Sequence, residues 1–184
     1  AAAPAANEPP PVRIAVVNIV KIFNALDVKK NGDAEIERLG KQLTDERKAK
    51  EDELDKLKTE LNELNPDSPD YKEISEKMLR KAVDLQSFSR YMEQKLLMET
   101  RLRTTAIYKS MNKSIEEFSR ANGIGLVLAS DDPDLTGARS QEELLSKITI
   151  RKVIYAHESF DITKSITEKM NTDAKALPAA TPGK

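Results

Sequence analysis

The sequence predicts an α+β fold that is mostly helical, with a long antiparallel helical hairpin inserted into a small β body. β-Branched residues at 12–18 indicate a strand near the start of the chain, and the segments able to pair with it lie far downstream, at 123–130 and 147–156. Between them, apolar residues recur at three- and four-residue spacing, as in a coiled-coil seam. Pro66 and Pro69 divide that helical pattern into two halves.

The composition fits one domain without a large compact core. The chain has 184 residues, of which 39% are hydrophobic and only 4% aromatic, so few large side chains are available to fill a globule. With 30 basic and 31 acidic residues the net charge is −1, which gives no global attraction to nucleic acid or to an anionic membrane. The absence of cysteine excludes disulfides, thiolate metal sites and a cysteine nucleophile. No apolar run approaches the ~20 residues that span a bilayer.

The first predicted elements are a strand and a short amphipathic helix. Residues 1–11, AAAPAANEPPP, have the composition of a flexible lead-in left after removal of a signal peptide, which favours an exported protein. The strand covers 12–18, and from Ile19 the apolar spacing becomes that of a helix, with Asn18 as its N-cap. Asn31 and Gly32 predict an interruption before the hairpin.

The hairpin arm is predicted over 31–121, with its tip at 65–70. In the descending helix, the stretch 44–53 has only Ala49 as an apolar residue, so charge pairs and Lys or Arg stems must hold the helices together there. Ser68 is the predicted N-cap of the returning helix, which ends at the glycine-containing ANGIG sequence. The seam consists of Ile36, Leu39, Leu43, Leu54, Leu57, Leu61 and Leu64, followed by Tyr71, Ile74, Met78, Ala82, Leu85, Phe88, Met92 and Leu96.

The two halves of the hairpin carry opposite net charge. Asp27 to Asp70 contain 9 basic and 14 acidic residues, whereas Tyr71 to Ala121 contain 11 basic and 7 acidic residues. We therefore expect the two helices to attract each other, and steering of a bound partner is the second interpretation of the same asymmetry.

The body is predicted to comprise 12–30 and 122–172. GIGLVLAS at 123–130 and KITIRKVIYA at 147–156 supply its second and third strands. Capping residues and apolar spacing predict the helices of the body, and composition predicts the tail. Ser140 and Glu143 form a capping box for a short helix, Asp161 or Thr163 caps a last helix with apolar Ile162, Ile166 and Met170, and 173–184 is the expected disordered tail.

Apolar residues of the returning helix that lie off the seam form the candidate binding surface. Leu96, Leu97 and Met98 are consecutive and cover about 200° of the helix surface, which is more than a two-helix seam can bury. Together with Leu79 and Tyr91 they can form an adaptable surface for unfolded apolar segments, or they can meet a neighbouring helix or subunit.

Other residues receive structural interpretations first. Met78 and Phe88 lie on the seam, so packing is their primary role and contact with a bound segment the second. The sole histidine, His157, follows the predicted third strand, and it cannot assemble a metal cluster or a catalytic dyad alone. Carboxylates alternate with Lys and Arg along helices, so we expect no enzyme, no metal and no cofactor. Basic residues that could contact a phosphate, but are typical of a solvated face, are Lys77, Arg80, Lys81, Arg101 and Arg103.

Four pieces of the sequence together resemble the Skp (OmpH-like) family of periplasmic chaperones. They are IAVVNIVKIF near the start, the charged helical hairpin, GIGLVLA after it, and VIYA followed by DITKSITEKMN. The resemblance extends from about Arg13 to Asn171. It implies a homotrimer in which three β bodies carry helical arms around a cavity, like a jellyfish, and a location in the periplasm.

The resemblance also implies a function and its partners. An ATP-independent holdase would keep unfolded outer-membrane or exported proteins in the cavity between the arms. A small sheet with open edges also needs partner subunits, which trimerisation would supply, and the apolar strand residues expected in the oligomer body are Ile14, Val16, Leu126, Leu128, Ile150 and Ile154. Because the chain is near neutral, contact with a membrane surface is expected to be weak.

Two other classes of function compete with the holdase. A structural coiled-coil spacer or envelope scaffold would use the hairpin to set a distance, and it would bury Leu97 and Met98 in a defined interface. A nucleic-acid-binding protein would need a basic patch with aromatic residues for stacking, which four Tyr and four Phe at packing positions do not supply.

Overall fold

The computed structural model describes residues 12–131 and 135–176, in two compact units. Of the described residues, the body unit comprises 12–30, 106–131 and 135–176, and the arm unit comprises 31–105. The predicted α+β fold, mostly helical with long helices and a small sheet, is confirmed. The elements in order are β1 (Arg13–Val17), α1 (Ile19–Ala25), α2 (Asp27–Glu63), α3 (Pro69–Ala121), β2 (Ile124–Ala129), α4 (Gln141–Ile150), a short 3₁₀ helix (Glu158–Phe160) and α5 (Thr163–Ala176).

Asn18 joins the strand to the first helix of the body unit, as the sequence predicts. Its side-chain oxygen accepts a hydrogen bond from the Lys21 backbone N–H at 2.8 Å, which caps α1. Its own backbone N–H donates to Thr163 Oγ1 at 2.9 Å. Asn18 therefore fixes the starts of two helices, because Thr163 is also the first residue of α5.

The sheet has two strands, which pair in parallel through a long connection. Ile14 lies opposite Leu126, and Val16 lies opposite Leu128. Gly123, which has a positive φ of 64°, ends the helical run before β2 as expected. One face of the sheet contributes to the body core, which contains Val17, Ile22, Leu26, Ile107, Met111, Ile166 and Met170.

The predicted third strand at 147–156 is wrong. Ser140 caps the helix as predicted, with the Glu143 N–H donating to Ser140 Oγ at 3.1 Å, but the Glu143 carboxylate accepts the Arg139 N–H at 2.9 Å and the helix continues to Ile150. Extending a helix that has already nucleated fixes one further residue for each hydrogen bond, so Ile148 and Ile150 join α4 despite their alternation. The free edge of β1 instead receives an isolated parallel bridge from Asp161 to Val16.

Two predicted ends of helices are also corrected. The interruption at Asn31 and Gly32 does not form, because the break lies at Leu26 and α2 runs through both residues. Gly32 is buried, and a Cβ added there would lie 3.4 Å from the Arg103 guanidinium, so this glycine permits close packing. The tail expected from residue 173 is helical as far as Ala176, and residues 1–11 and 177–184 lie outside the described residues.

Within the arm unit, α2 and α3 pack through a seam that loses its leucines near the middle. Leu43, Leu54 and Leu57 are its buried residues. Between the first two, Lys50 Nζ lies 5.3 Å from the centre of the Phe88 ring. The prediction that charged groups and lysine stems hold this stretch is confirmed, and Ala49 itself is exposed.

The side chain of Ser68 caps the start of α3. Tyr71 N–H donates to Ser68 Oγ at 3.1 Å, and Pro69 is the first residue of the helix. The same Ser68 hydroxyl donates to the Asn65 carbonyl at 2.7 Å, which closes the predicted tip. Among the described helices, none is both long and apolar enough to cross a membrane.

Candidate functional site

The large exposed apolar side chains of the arm unit all belong to α3. On the arm's part of α2, every large apolar side chain is partly or fully buried. The arm unit therefore has one polar helix and one helix with an uncovered apolar surface. The exposed residues of α3, between 53% and 71% accessible, are Leu79, Val83, Tyr91, Leu97, Met98 and Leu102.

Helix geometry arranges these six residues in two stripes. At ~100° per residue, Leu79, Val83 and Leu97 lie within about 40° of one another, and we call them the outer stripe. The other three, Tyr91, Met98 and Leu102, lie within a similar arc about 100° away, and we call them the side stripe. Both stripes point away from the seam with α2, so α2 cannot cover them.

The structure separates the predicted binding residues into these stripes and the seam. Leu79 and Leu97 share the outer stripe, whereas Tyr91 and Met98 share the side stripe. Met78 and Phe88 are partly buried on the seam, where Phe88 also approaches Tyr91 with ring centres 6.1 Å apart. Phe88 therefore connects the buried seam to the side stripe.

Sequence reasoning missed two members of the stripes and placed their neighbour Leu96 correctly on the seam. Val83 and Leu102 also depart from the seam spacing, so their positions in the sequence could have identified them. Leu96 is partly buried and lies 4.0 Å from the position of a Cβ on Gly40, so it packs across the hairpin. Of the consecutive trio Leu96 to Met98, only the last two remain exposed.

Ion pairs use much of the arm's positive charge for packing. Lys81 Nζ donates to Glu53 at 2.6 Å, and Arg103 pairs with Glu35, so both bonds join α3 to α2. The hydrogen bond and charge of Lys81 lower the pKa of Glu53, and the same bond raises the pKa of Lys81. The attraction expected from the opposite charges of the helices is therefore visible as specific contacts.

Two further basic residues of α3 pair with carboxylates of the same helix. Arg80 donates to Glu76 at 3.2 Å, one turn away. Lys95 binds Glu99 at 2.9 Å, which raises the pKa of Lys95 and lowers the pKa of Glu99. These pairs reduce the number of cations that are available to a bound phosphate.

The body unit has a second apolar surface, on the sheet face opposite its core. Ile14 and Leu126 are paired across the strands and exposed, and Leu128 is next to them. Val16, on the same face, is buried, and it lines a cleft of about 250 Å³ together with Ile154.

The remaining predicted body residues lie outside any strand. Ile150 ends α4 and is 57% exposed, and Ile154 follows in an irregular segment at 73% exposure. That segment is held by Arg151, whose guanidinium donates to the carbonyls of Val153 and Ile154 at 3.2 and 3.1 Å. Four of the six predicted residues therefore share one face of the sheet, and the other two do not.

The single histidine of the chain lies at the start of the 3₁₀ helix of the body unit. His157 is exposed, and its Nδ1 accepts the Ser159 backbone N–H at 3.2 Å at the start of the 3₁₀ helix. The described parts of the chain contain no group of three His, Cys, Asp or Glu residues that could hold a metal ion. The apolar stripes are suited to contact with apolar partners, through side chains that include the flexible Met98.

Comparison with known proteins shows which family the sequence matches. The model of the family described as "Outer membrane protein (OmpH-like)" matches residues 13–170. A crystal structure of a candidate outer-membrane chaperone (OmpH-like) from Caulobacter crescentus CB15 superposes with a TM-score of 0.69 at 15% identity, covering 93% of this chain and 90% of that chain. No curated protein matches the sequence.

Proposed function

Because the chain belongs to the OmpH-like family of outer membrane proteins, we propose that it is an ATP-independent holdase chaperone. Its clients would be unfolded outer-membrane or exported proteins, which it would meet in the periplasm. The observation that supports this proposal best is the uncovered apolar surface of α3, where Leu97 is 71% exposed. A helix that served only to pair with α2 would not need two further apolar stripes.

The holding mechanism would consist of many weak contacts. An isolated leucine or methionine on a helix surface gains little from one client side chain, since much of its area stays in water. Three arms around a common cavity would raise the local concentration of such contacts, so that a client stays bound although every individual contact is short-lived. This mechanism needs no nucleotide and no single tight site.

A homotrimer is part of the same proposal. The exposed face of the sheet, with Ile14, Leu126 and Leu128, offers an apolar area that a second and a third body could cover. Ile150 and Ile154 are exposed at and after the end of α4 and are further candidates. Light scattering on the purified chain should give the mass of three chains. A monomeric mass at micromolar concentration would reject the trimer.

Aggregation of an unfolded β-barrel membrane protein tests the holdase directly. We expect the wild-type chain to suppress light scattering when that protein is diluted from urea. The variant Leu79→Gln, Tyr91→Gln, Leu97→Gln, Met98→Gln should need at least about tenfold more chain for the same suppression, which corresponds to a loss of about 1.4 kcal/mol. Glutamine is a good helix former, so the helix itself should persist.

A matched control keeps the result specific. Ala34 and Ala49 are exposed on α2, and changing both to Gln should leave suppression unchanged. Equal far-UV circular dichroism in all three chains would show that the helices are intact. If the wild-type chain fails to suppress aggregation at any ratio, the holdase is wrong and the structural spacer becomes the better account.

A further inference from the structure

The outer stripe carries unpaired cations between its apolar side chains. Arg90 lies seven residues after Val83 and seven before Leu97, and Arg101 follows Leu97 by four residues. Both arginines are therefore on the face of the outer stripe, and both are exposed. Unlike Arg103, which pairs with Glu35, they form no ion pair within the part of the chain that the structure describes.

Carboxylates on the same face do not neutralise these arginines. Glu76 lies at one edge of the stripe, and its charge is bound by Arg80 at 3.2 Å. Glu93 lies at the other edge and forms no ion pair among the described residues, so this face carries two unpaired arginines and one unpaired carboxylate. Between the apolar residues the stripe otherwise offers the neutral amides of Gln86 and Gln94. Its free charge is thus net positive.

We propose that the outer stripe selects unfolded polypeptide segments in which carboxylates lie close to apolar side chains. This inference rests on the proposed holdase function and specifies its client. Val83 and Arg101 are separated by about 27 Å along the helix, at ~1.5 Å per residue. An extended chain at ~3.3 Å per residue needs about eight residues to span that distance, so a short client segment can place apolar residues on Val83 and Leu97 and carboxylates on the arginines.

The shape of the stripe favours a polypeptide over a lipid surface. A helix that lies in a membrane needs a wide continuous apolar face buried in the acyl region. Here two glutamines and an arginine separate Val83 from Leu97, so such burial would desolvate polar groups without compensation. An extended peptide, in contrast, supplies backbone N–H and C=O groups that Gln86 and Gln94 can bind.

Two designed unstructured polypeptides of roughly 30 residues test the selection. They share the same apolar positions, but one has Glu and the other Lys between them, and each carries a fluorophore. Anisotropy titrations compare the wild-type chain, Arg90→Gln with Arg101→Gln, and the control Lys41→Gln with Lys48→Gln, which removes two exposed cations from α2. Anionic phosphatidylglycerol vesicles serve as a separate probe.

We expect the wild-type chain to bind the acidic polypeptide about three- to tenfold more tightly than the basic one, as for two exposed ion pairs. The preference should disappear in the arginine variant and persist in the lysine control. The ratio of the two affinities should become smaller at high salt. Equal affinities in a wild-type chain that still suppresses aggregation would overturn the selection and leave the holdase intact. Loss of vesicle binding in the arginine variant, with polypeptide binding unchanged, would assign the stripe to lipid. A wild-type chain that binds neither polypeptide and does not suppress aggregation would contradict both the selection and the holdase.

Discussion

The two units of the chain bury their apolar residues in different ways. In the body unit, side chains from β1, α1, α3 and α5 converge on one cluster, in which Ile22, Leu26, Met111 and Ile166 are completely buried. In the arm unit, the buried residues Leu43, Leu54 and Leu57 follow one another along a line, and ten residues separate the first two. None of these three leucines is as fully enclosed as the four completely buried residues of the body.

This difference indicates which unit can tolerate the loss of an apolar side chain. A convergent core is cooperative, because removing one side chain leaves a cavity that several elements share. A linear seam is a series of local contacts, so each truncation acts mainly on its neighbours. The arm can consequently expose apolar side chains on α3 without endangering the fold, and those side chains are the ones that a client can use.

Truncation of the body core should have the largest effect. Ile166→Ala removes a fully buried side chain from the cluster, and we expect the free energy of unfolding to fall by about 2–5 kcal/mol. Urea denaturation followed by circular dichroism measures the change. Val20→Ala is the control, since Val20 is 60% exposed on α1 and its loss should cost less than about 0.5 kcal/mol. Similar losses in both variants would contradict a convergent core.

Truncation of the arm seam should have a smaller and more local effect. Leu57→Ala removes a buried seam residue and should cost about 2 kcal/mol, the low end for such a change, because a linear seam can close around the gap. Hydrogen exchange should show faster amide exchange near Leu57 in α2 and in the facing part of α3. Protection of the body amides should remain as in the wild-type chain. A uniform loss of protection would show that the seam is not a series of local contacts.

Substitution of the buried arm glycine should stabilise the protein slightly. Gly32 is within α2, where a glycine costs up to about 1 kcal/mol relative to alanine. The added Cβ would meet Arg103 Nη1 at an ordinary contact distance of 3.4 Å, and a guanidinium at the end of a flexible side chain can adjust. We expect Gly32→Ala to raise the free energy of unfolding by about 0.5–1 kcal/mol. A decrease would mean that Arg103 cannot move.

The ion pair between Glu53 and Lys81 should give the smallest effect, through pH. Because Lys81 lowers the pKa of Glu53, the folded arm gains stability above the ordinary glutamate pKa of about 4.3 and loses it as pH falls through the lowered value. The stability that comes from the raised pKa of Lys81 depends on pH in the opposite sense. It is present at neutral pH and is lost only in alkali, as pH rises through the raised pKa. In an NMR titration, Lys81→Gln should raise the pKa of Glu53, whereas Lys77→Gln should not.

The sequence predicts the parts of this fold that depend on local spacing. The caps at Asn18 and Ser68, the tip and the core residues Ile166 and Met170 all follow from patterns within a few residues. The end of α4 at Ile150, in place of the predicted third strand, could not be predicted, because Ile148 and Ile150 fit both an alternating strand and the end of a capped helix. Only the pairing partners decide between the two, and β1 takes Asp161 in place of that segment.

The exposure of the candidate residues follows from the same local spacing, whereas their arrangement in two stripes does not, and their contact with a client stays a prediction. Departure from the seam spacing identifies Leu79, Tyr91, Leu97 and Met98 as surface residues of α3, since the seam has a fixed period. Their separation into two stripes depends on angles summed along the helix. The role of Gly32 was misread, because a glycine that breaks a helix and one that admits a side chain look alike in sequence.

Site-specific photo-crosslinking tests the central claim that clients bind the exposed apolar surface of α3. A photoreactive phenylalanine analogue is placed at Leu97 on α3 or at the exposed Lys41 on α2, and an unfolded β-barrel membrane protein is added. We expect strong crosslinks to the client from position 97 and weak ones from position 41. Crosslinks from position 97 only to other copies of the chain, or equal client crosslinks from both positions, would contradict the account.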